Sequence, residues 1–538
     1  MTRLTAFDAE VWSSVVHGQV LGNEETTQEI ARLVRDLLEL GRACYGPQGR
    51  CIMVQANERC GDAITITSVA ARILDHARYY EGPQRHCYVV PRGNALPAVP
   101  QGLLRGTTEA DAHDNRAQTK QHMDCGLFAV LFSASLLQEA LDLAALQGIP
   151  RRQIVHGYDL AHAWSTRFLN DAGACASRRT IEWSNVEAIS AVVRGILAPK
   201  KVANIGATMD SLVALVMQAF VHLFQDAIDA PSEPRLVQFA RSVDPSESSV
   251  LLDTLVLEVP ESWPQLWSLP LRGAVVALFN ITVAATDAPA NLHLTTLPGS
   301  HLLDEADRMG WAQLTQQLVA CGVTLVLSQK KISLELAAML AAEGIATLER
   351  LSIKHIGSAV VTRWIDDGRV MQALSGAALL GDWATTVGTK DLGYIADVRL
   401  CETGESGRPH VAFSNAPSDA MPEDLPPTVD TAAIGARRRA IVTFRLGCPD
   451  VFAFDELRHL LHAALDTLTK LLRAPVVYGG SGLMELELIH HLEAQAKLLG
   501  SAPAPGDHSA RVQLRQLQHV IEAYIAGLRG IVALLGPL

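Results

Sequence analysis

Residues 125–147, CGLFAVLFSASLLQEALDLAALQ, are apolar around most of a helical circumference, and this run constrains the fold more than any other. A helix with no polar face needs other helices to enclose it, so the chain must build a sizeable helical body. The run is therefore expected to be a central core element. Gly148-Ile149-Pro150 stops it, and a second helix follows through Tyr158 and Phe168. At 538 residues the chain is too long for one core, and roughly two to four domains are expected.

Upstream, Thr26-Thr27 can cap a helix running to about Ala43, with Ile30, Val34, Leu37 and Leu38 on one face. The rigid turn Tyr45-Gly46-Pro47-Gln48-Gly49 precedes a strand-like run around Ile52-Met53-Val54. Ile64-Thr65-Ile66-Thr67 alternates as a strand does and leads towards a helix over 70–77. Residues 79–122 turn polar and rich in Gly and Pro, the signature of a surface insertion. Residues 189–223 are amphipathic and helical, and Pro231–Pro234 mark a boundary.

The middle third changes character. Residues 273–285 and 322–327 are short buried strands, with helices flanking the second, so a small α/β domain is expected between two helical halves. Residues 416–427, with their prolines, read as a flexible loop, 441–446 as a strand, and the rest as helix. The chain should therefore leave a body made from both of its ends, build an outer domain, and return.

A formal charge of -12 argues against a duplex-binding protein, whose surface needs surplus Lys and Arg. The nine cysteines are scattered without a CxxC pair, which fits free thiols in a reducing compartment. The first residues, MTRLTAFDAEVW, hold no apolar signal core, and the run Leu127–Leu137 is shorter than the about 20 residues of a membrane span. A soluble, cytoplasmic chain without nucleic-acid or membrane partners is expected.

Three loops carry the chemical signal. Gly46-Pro47-Gln48-Gly49 follows a helix, Asp124-Cys125-Gly126 precedes one, and Gly480-Ser481-Gly482 with Glu485 precedes another. Glycines let backbone amides approach phosphate oxygens, a helix N-terminus favours anions, and an Asp can hold Mg²⁺. Read singly, each loop is an ordinary turn. Their order across the chain is what carries weight.

That order resembles the group II chaperonins. The first loop is similar to their LGPKG turn, 64–74 (ITITSVAARIL) to their strand and NDGATIL segment, and 124–137 (DCGLFAVLFSASLL) to DGTTSVVVLAGELL. Residues 149–164 resemble the HPTxIIxGYxxA helix, 454–468 the DExxRxLxDAL helix, and 476–488 the GGGAxE turn. The strings 43–50 (ACYGPQGR), 124–131 and 325–340 (LVLSQKKISLELAAML) resemble the divergent McKusick–Kaufman/Bardet–Biedl branch. The resemblance implies a multi-domain α+β/α chain. A helical equatorial domain would span 1–150 and 465–538, an intermediate hinge 151–225 and 400–464, and an α/β apical domain 226–399.

It also implies where nucleotide chemistry has gone. Gly46, Pro47, Gly49, Asp124, Gly126, Gly480, Gly482 and Glu485 fall on vestigial nucleotide-binding positions, with Asp124 a remnant of the Mg²⁺ ligand. Cys125, Gly126 and Leu127 replace the glycine and both threonines of the magnesium loop, and Val69 replaces the carboxylate in 68–72. Ala463 falls where the water-orienting Asp is expected, and Asp466, three residues on, projects from another helical position. No catalytic residue, metal or cofactor is expected, since groups that act together fail together. The chain also stops short of a final stretch usual in the family, which weakens a nucleotide pocket further.

The resemblance then implies an assembly factor for the BBSome, the ciliary cargo-adaptor complex. Its partners would be other chaperonin-like Bardet–Biedl proteins, cytosolic chaperonin subunits and BBSome subunits, near centrosomes or basal bodies. The alternatives are an active ATP-dependent ring chaperonin subunit and a scaffold unrelated to cilia.

Other residues invite blander readings. Asp124 reads as an N-cap, Cys125 as buried in its helix, and His459 with His462 as core or surface histidines lacking a third ligand. His490-His491 leave a helix on different faces, and Arg437-Arg438-Arg439 reads as a solvated guard before a strand.

Overall fold

The computed structural model describes residues 23–47, 49–55, 64–67, 89–91, 125–199, 208–229, 236–242, 244, 246–259, 263, 269–280, 301–351, 370–380, 386–403, 409–415, 430–501 and 508–536. In chain order these begin with α1 (Asn23–Cys44), β1 (Ile52–Gln55), β2 (Ile64–Thr67), β3 (Val89–Pro91), α2 (Gly126–Leu146), α3 (Arg151–Asn170), β4 (Arg179–Thr180) and α4 (Val186–Leu197). Next come α5 (Met209–Asp229), β5 (Leu236–Ser242), β6 (Ser249–Leu252), β7 (Thr254–Glu258), β8 (Leu271–Phe279), α6 (His301–Ala320), β9 (Leu325–Ser328), α7 (Leu334–Ala342) and β10 (Ala346–Leu348). The remainder are α8 (Val370–Ser375), β11 (Leu379–Leu380), β12 (Gly393–Thr403), β13 (Pro409–Ser414), α9 (Thr431–Arg437), β14 (Ile441–Gly447), α10 (Val451–Leu471), β15 (Val476–Val477), α11 (Leu483–Ser501) and α12 (His508–Val532).

Contacts gather the chain into two compact units, Met1–Ile205 with Asp450–Leu538, and Gly206–Pro449. The first is thus built from both chain ends and the second is an insertion, the order expected from the sequence. The expected three-domain division is finer than this grouping.

In the first unit α2 packs on α1 and α12, and α12 on α3 and α11. Two glycines allow the close approaches. A Cβ at Gly41 would lie 2.6 Å from Leu131 Cδ2, and one at Gly157 would lie 2.4 Å from Val520 Cγ1. The α2 run is less enclosed than its composition suggested: only Val130, Leu131, Ala134 and Leu143 are buried. Its first half packs with Val34, Leu38 and Ile531, and its second half with Ile154, Val520 and Ala523. Neighbours along parts of its length, rather than a complete sheath, account for the difference. Both α2 and the helical stretch Ser509–Leu535 are long and apolar enough to cross a membrane, so length alone does not exclude a span. Here each serves as a packing helix.

One further expectation is corrected and another gains detail. Helix is already formed at Asn23, so Thr26 and Thr27 lie inside α1 rather than at its cap. The stretch expected as a surface insertion contributes β3, which pairs antiparallel with β1, itself paired on its other side with β2. The expected helix over 70–77, the boundary at 231–234 and the loop over 416–427 lie outside the described residues.

The second unit contains the expected α/β layer. Parallel strands β8, β9 and β10 are linked through α6 and α7, and β12, β13 and β7 extend the sheet antiparallel, with β11 pairing β8. Strand β8 shows why its sequence lacks alternation. Ala274, Val276 and Leu278 enter one core with Ile395 and Phe413, while Val275, Ala277 and Phe279 enter the other with Trp311, Leu314 and Leu336. A strand buried on both faces is apolar throughout. A smaller sheet, β5-β14-β6, completes the unit.

Candidate functional site

The first loop closes directly on the end of α1. Gly49 N donates to Gly46 O (2.9 Å) and Arg50 N to Ala43 O (2.8 Å). Gly46 has φ +79°, and a Cβ there would meet Leu534 O at 2.5 Å; at Gly49 it would meet Cys44 O at 2.3 Å. Both glycines are therefore required by the turn's own packing. Pro47 sits exposed between them.

At the second loop, Asp124 and residues 68–72 lie outside the described residues. Helix α2 starts at Gly126, and its N-cap is Cys125, not Asp124. Cys125 is left-handed (φ 61°, ψ 13°), and its side chain makes no capping hydrogen bond. Side-chain capping goes with extended backbone, which this residue lacks. Its thiol is exposed, which corrects the expectation of burial. The first turn, Gly126-Leu127-Phe128, offers neither a hydroxyl nor an acid.

The third loop is fastened to residues 171–181. Gly479 N donates to Ser177 O (3.1 Å), Ile181 N to Pro475 O (2.8 Å), and β15 pairs antiparallel with β4. Tyr478 Oη donates to Leu169 O at 2.9 Å. Ser481 (φ 57°) and Gly482 (φ 85°) are left-handed, and Leu486 N donates to Gly482 O at 2.9 Å as α11 begins. Burial pushes the Glu485 carboxyl above its usual range. Two residues on, Glu487 accepts from Ser177 N (3.0 Å) and the Cys175 thiol (3.4 Å). The Ser177 backbone bond leads in holding its pKa low.

Helix α10 carries position 463, where the resemblance implied a water-orienting Asp. Ala463 is buried and has no carboxylate. Asp466 is buried and salt-bridged to Lys470. Glu456 is 1% exposed and accepts from Thr67 Oγ1 at 2.8 Å, which ties α10 to β2. Desolvation, with His459 and Arg458 adding like charge, holds the buried His462 ring well below the usual imidazole range. Among the described residues no trio of His, Cys, Asp or Glu is placed to hold a metal ion. His491 stacks on Phe168 with centroids 4.4 Å apart, an α3–α11 contact that the sequence did not suggest.

The three loops thus have different recorded partners: the 533–535 segment, the head of α2, and residues 171–181. Glu456 and Glu487 were missed as structural anchors because their partners lie 389 and 310 residues away. The DE pair of the α10 motif, whose Glu456 is buried, was the one available signal. The arginine run is corrected too. Arg437 Nη1 donates to Gly376 O and Lys390 O, and Arg438 donates to Tyr394 O while lying over that ring at 5.9 Å. These arginines fasten backbone rather than guard an edge.

The family pattern described as TCP-1/cpn60 chaperonin family matches residues 115–535. The chain therefore belongs to the TCP-1/cpn60 chaperonin family. Thermosome subunit alpha of Saccharolobus shibatae is 23% identical over 428 residues, covering 78% of this chain and 69% of that protein. Its counterpart in Saccharolobus solfataricus is 22% identical over the same spans. A solved group III chaperonin in the open state aligns with a TM-score of 0.64 at 13% identity, over 95% of this chain and 84% of that one. The fold is thus group II chaperonin-like, as the motifs implied, and the chain is a chaperonin-family protein.

Proposed function

We propose that this chain is a non-hydrolysing, chaperonin-like assembly factor. It acts with other chaperonin-like Bardet–Biedl proteins and the cytosolic chaperonin to assemble the BBSome near centrosomes and basal bodies. One observation carries the loss of hydrolysis: Ala463 stands at the water-orienting position, and the neighbouring carboxylates are engaged, Asp466 with Lys470 and Glu456 with Thr67. Phosphoryl transfer needs a positioned water and charge neutralisation together. The first turn of α2, without hydroxyl or acid, offers no side chain for either task, which supports the reading that Mg²⁺·ATP is not turned over. The resemblance of 43–50, 124–131 and 325–340 to the divergent branch supports the ciliary role.

Client holding would use apolar side chains left in solvent. Met309 on α6 is 70% exposed and Leu334 on α7 is 83% exposed, beside the Arg308–Glu335 ion pair. Release would follow when partner subunits bury the client's apolar surface.

A second reading, an active ATP-dependent chaperonin subunit, is favoured by the family match running through all of α10 and α11. Purified full-length protein decides between them. The proposal expects no ATP turnover, no Mg²⁺·ATP-dependent thermal shift and a monomer or small complex. A double ring stabilised by Mg²⁺·ATP and turning it over would overturn it. Affinity capture from ciliated cells tests the ciliary role: BBSome and cytosolic chaperonin subunits should co-purify, and their absence would remove that part.

A further inference from the structure

A cleft of about 350 Å³ opens within the inserted unit, where α8, β11, the start of β5 and the α9–β14 junction meet. That volume suits a metabolite-sized molecule. Its polar lining is Arg437, Arg439 and Gln372, and its apolar lining includes Leu236, Ala378 and Leu379. Among the described residues no acid lines it.

The walls are tied together by backbone. Arg439 N donates to Ala373 O (3.2 Å), Ala378 N donates to Asp391 O (2.9 Å), and Leu236 pairs with Ile441 across β5 and β14. At Gly376 (φ +71°) a Cβ would meet Ile434 Cγ2 at 2.7 Å, so the turn after α8 sits directly on α9. The Arg437 guanidinium is fixed as well, because its Nη1 donates to both Gly376 O and Lys390 O. That nitrogen carries two hydrogens, so the other edge, Nε with Nη2, keeps its own pair of N–H donors. Among the described residues neither Nε nor Nη2 has a hydrogen-bond partner, and no carboxylate pairs with Arg437. Asp391, next to Lys390, and Asp430, at the head of α9, accept from Gly388 N and Ala433 N instead. Arg438, between the two lining arginines, is engaged with Tyr394. The Gln372 side-chain amide makes no hydrogen bond among the described residues.

We propose that this cleft binds a small organic oxoanion, a carboxylate or phosphate carried on a short apolar body. A guanidinium edge matches two oxygens of such a group, and a fork already held in place loses little freedom on binding. Gln372 supplies an amide donor to the same opening, Arg439 adds positive charge, and Leu236 and Leu379 cover the apolar body. The site lies wholly in the inserted unit and shares no residue with the three loops. It therefore stands whether or not the chain hydrolyses ATP.

Ligand-detected NMR with benzoate and phenyl phosphate on the full-length chain tests this. At least one of these anions should bind saturably with a Kd below about 1 mM. Benzyl alcohol, a similar body without charge, should bind about tenfold more weakly. The tighter anion identifies the head group. Gln372→Glu, which places a carboxylate in the cleft on a side chain of the same shape, should weaken the anion at least about tenfold. Arg437→Lys, which keeps the charge but not the paired donors, should weaken it about fivefold. No saturable binding, equal binding of the alcohol, or anion binding unchanged in either variant overturns the site. Arg437→Lys decides alone should Gln372→Glu fail to fold.

Discussion

At Cys125 and Ser481 the backbone takes φ values of 61° and 57°, a region that costs an L-residue about 1–2 kcal/mol and costs glycine little. By the resemblance, both stand where the family motifs have glycine, the residue that adopts this region at little cost. Cys125→Gly and Ser481→Gly should each stabilise the protein by about 1 kcal/mol, measured by denaturant unfolding. Destabilisation by either would show that its side chain makes a contact worth more than the strain. The sequence showed these positions as degenerate loops but could not show their backbone angles, which follow from how each helix is entered.

His462 gives a second prediction at this scale. An unfolded imidazole takes up a proton near pH 6.5, whereas the buried ring is held well below that. The unfolded state therefore binds more protons as pH falls below about 6.5, and folding stability declines there. His462→Leu should flatten that decline in a pH series of unfolding midpoints. An unchanged slope would place the acid sensitivity elsewhere.

Among elements, the α3–α12 crossing rests on Gly157. A Cβ there would meet Val520, which is fully buried and stiff at χ1, so Gly157→Ala should cost about 1–3 kcal/mol. Gly195 in α4 has open space around it, and the same change there should stabilise by roughly 0.5–1 kcal/mol. Equal effects at both would mean that helix propensity rather than packing governs the crossing. Elements with strong patterning, such as β8 and α3, were legible from residues alone. Strand β3 was not, because three residues carry no period and its pairing with β1 reaches across the chain. The site divides in the same way. Turns at Gly46 and Gly482 were legible, whereas the approach of Leu534 to Gly46, and the Thr67–Glu456 and Ser177–Glu487 bonds, are long-range and left no local pattern.

For the whole molecule, the inserted unit holds two apolar cores, one on each face of its large sheet, and both are made from its own residues. Residues 206–449 expressed alone should therefore unfold in a single cooperative transition by circular dichroism. A fragment with no transition would mean that the rest of the chain is needed to shape it. The helical–α/β–helical order was legible because periodicity changes along the chain. The grouping of residues 1–205 with 450–538 followed only from the expectation that the chain returns.

That split unit has a cost during synthesis. Helix α2 leaves the ribosome long before α12, its packing partner, since all of Gly206–Pro449 must be translated in between. At roughly 5–20 residues per second, the delay is on the order of tens of seconds. Throughout that interval a nascent chain displays one of its greasiest segments with only α1 and α3 to cover it, while the inserted unit is already free to fold. Synthesis order thus leaves the split unit open until its last helix emerges.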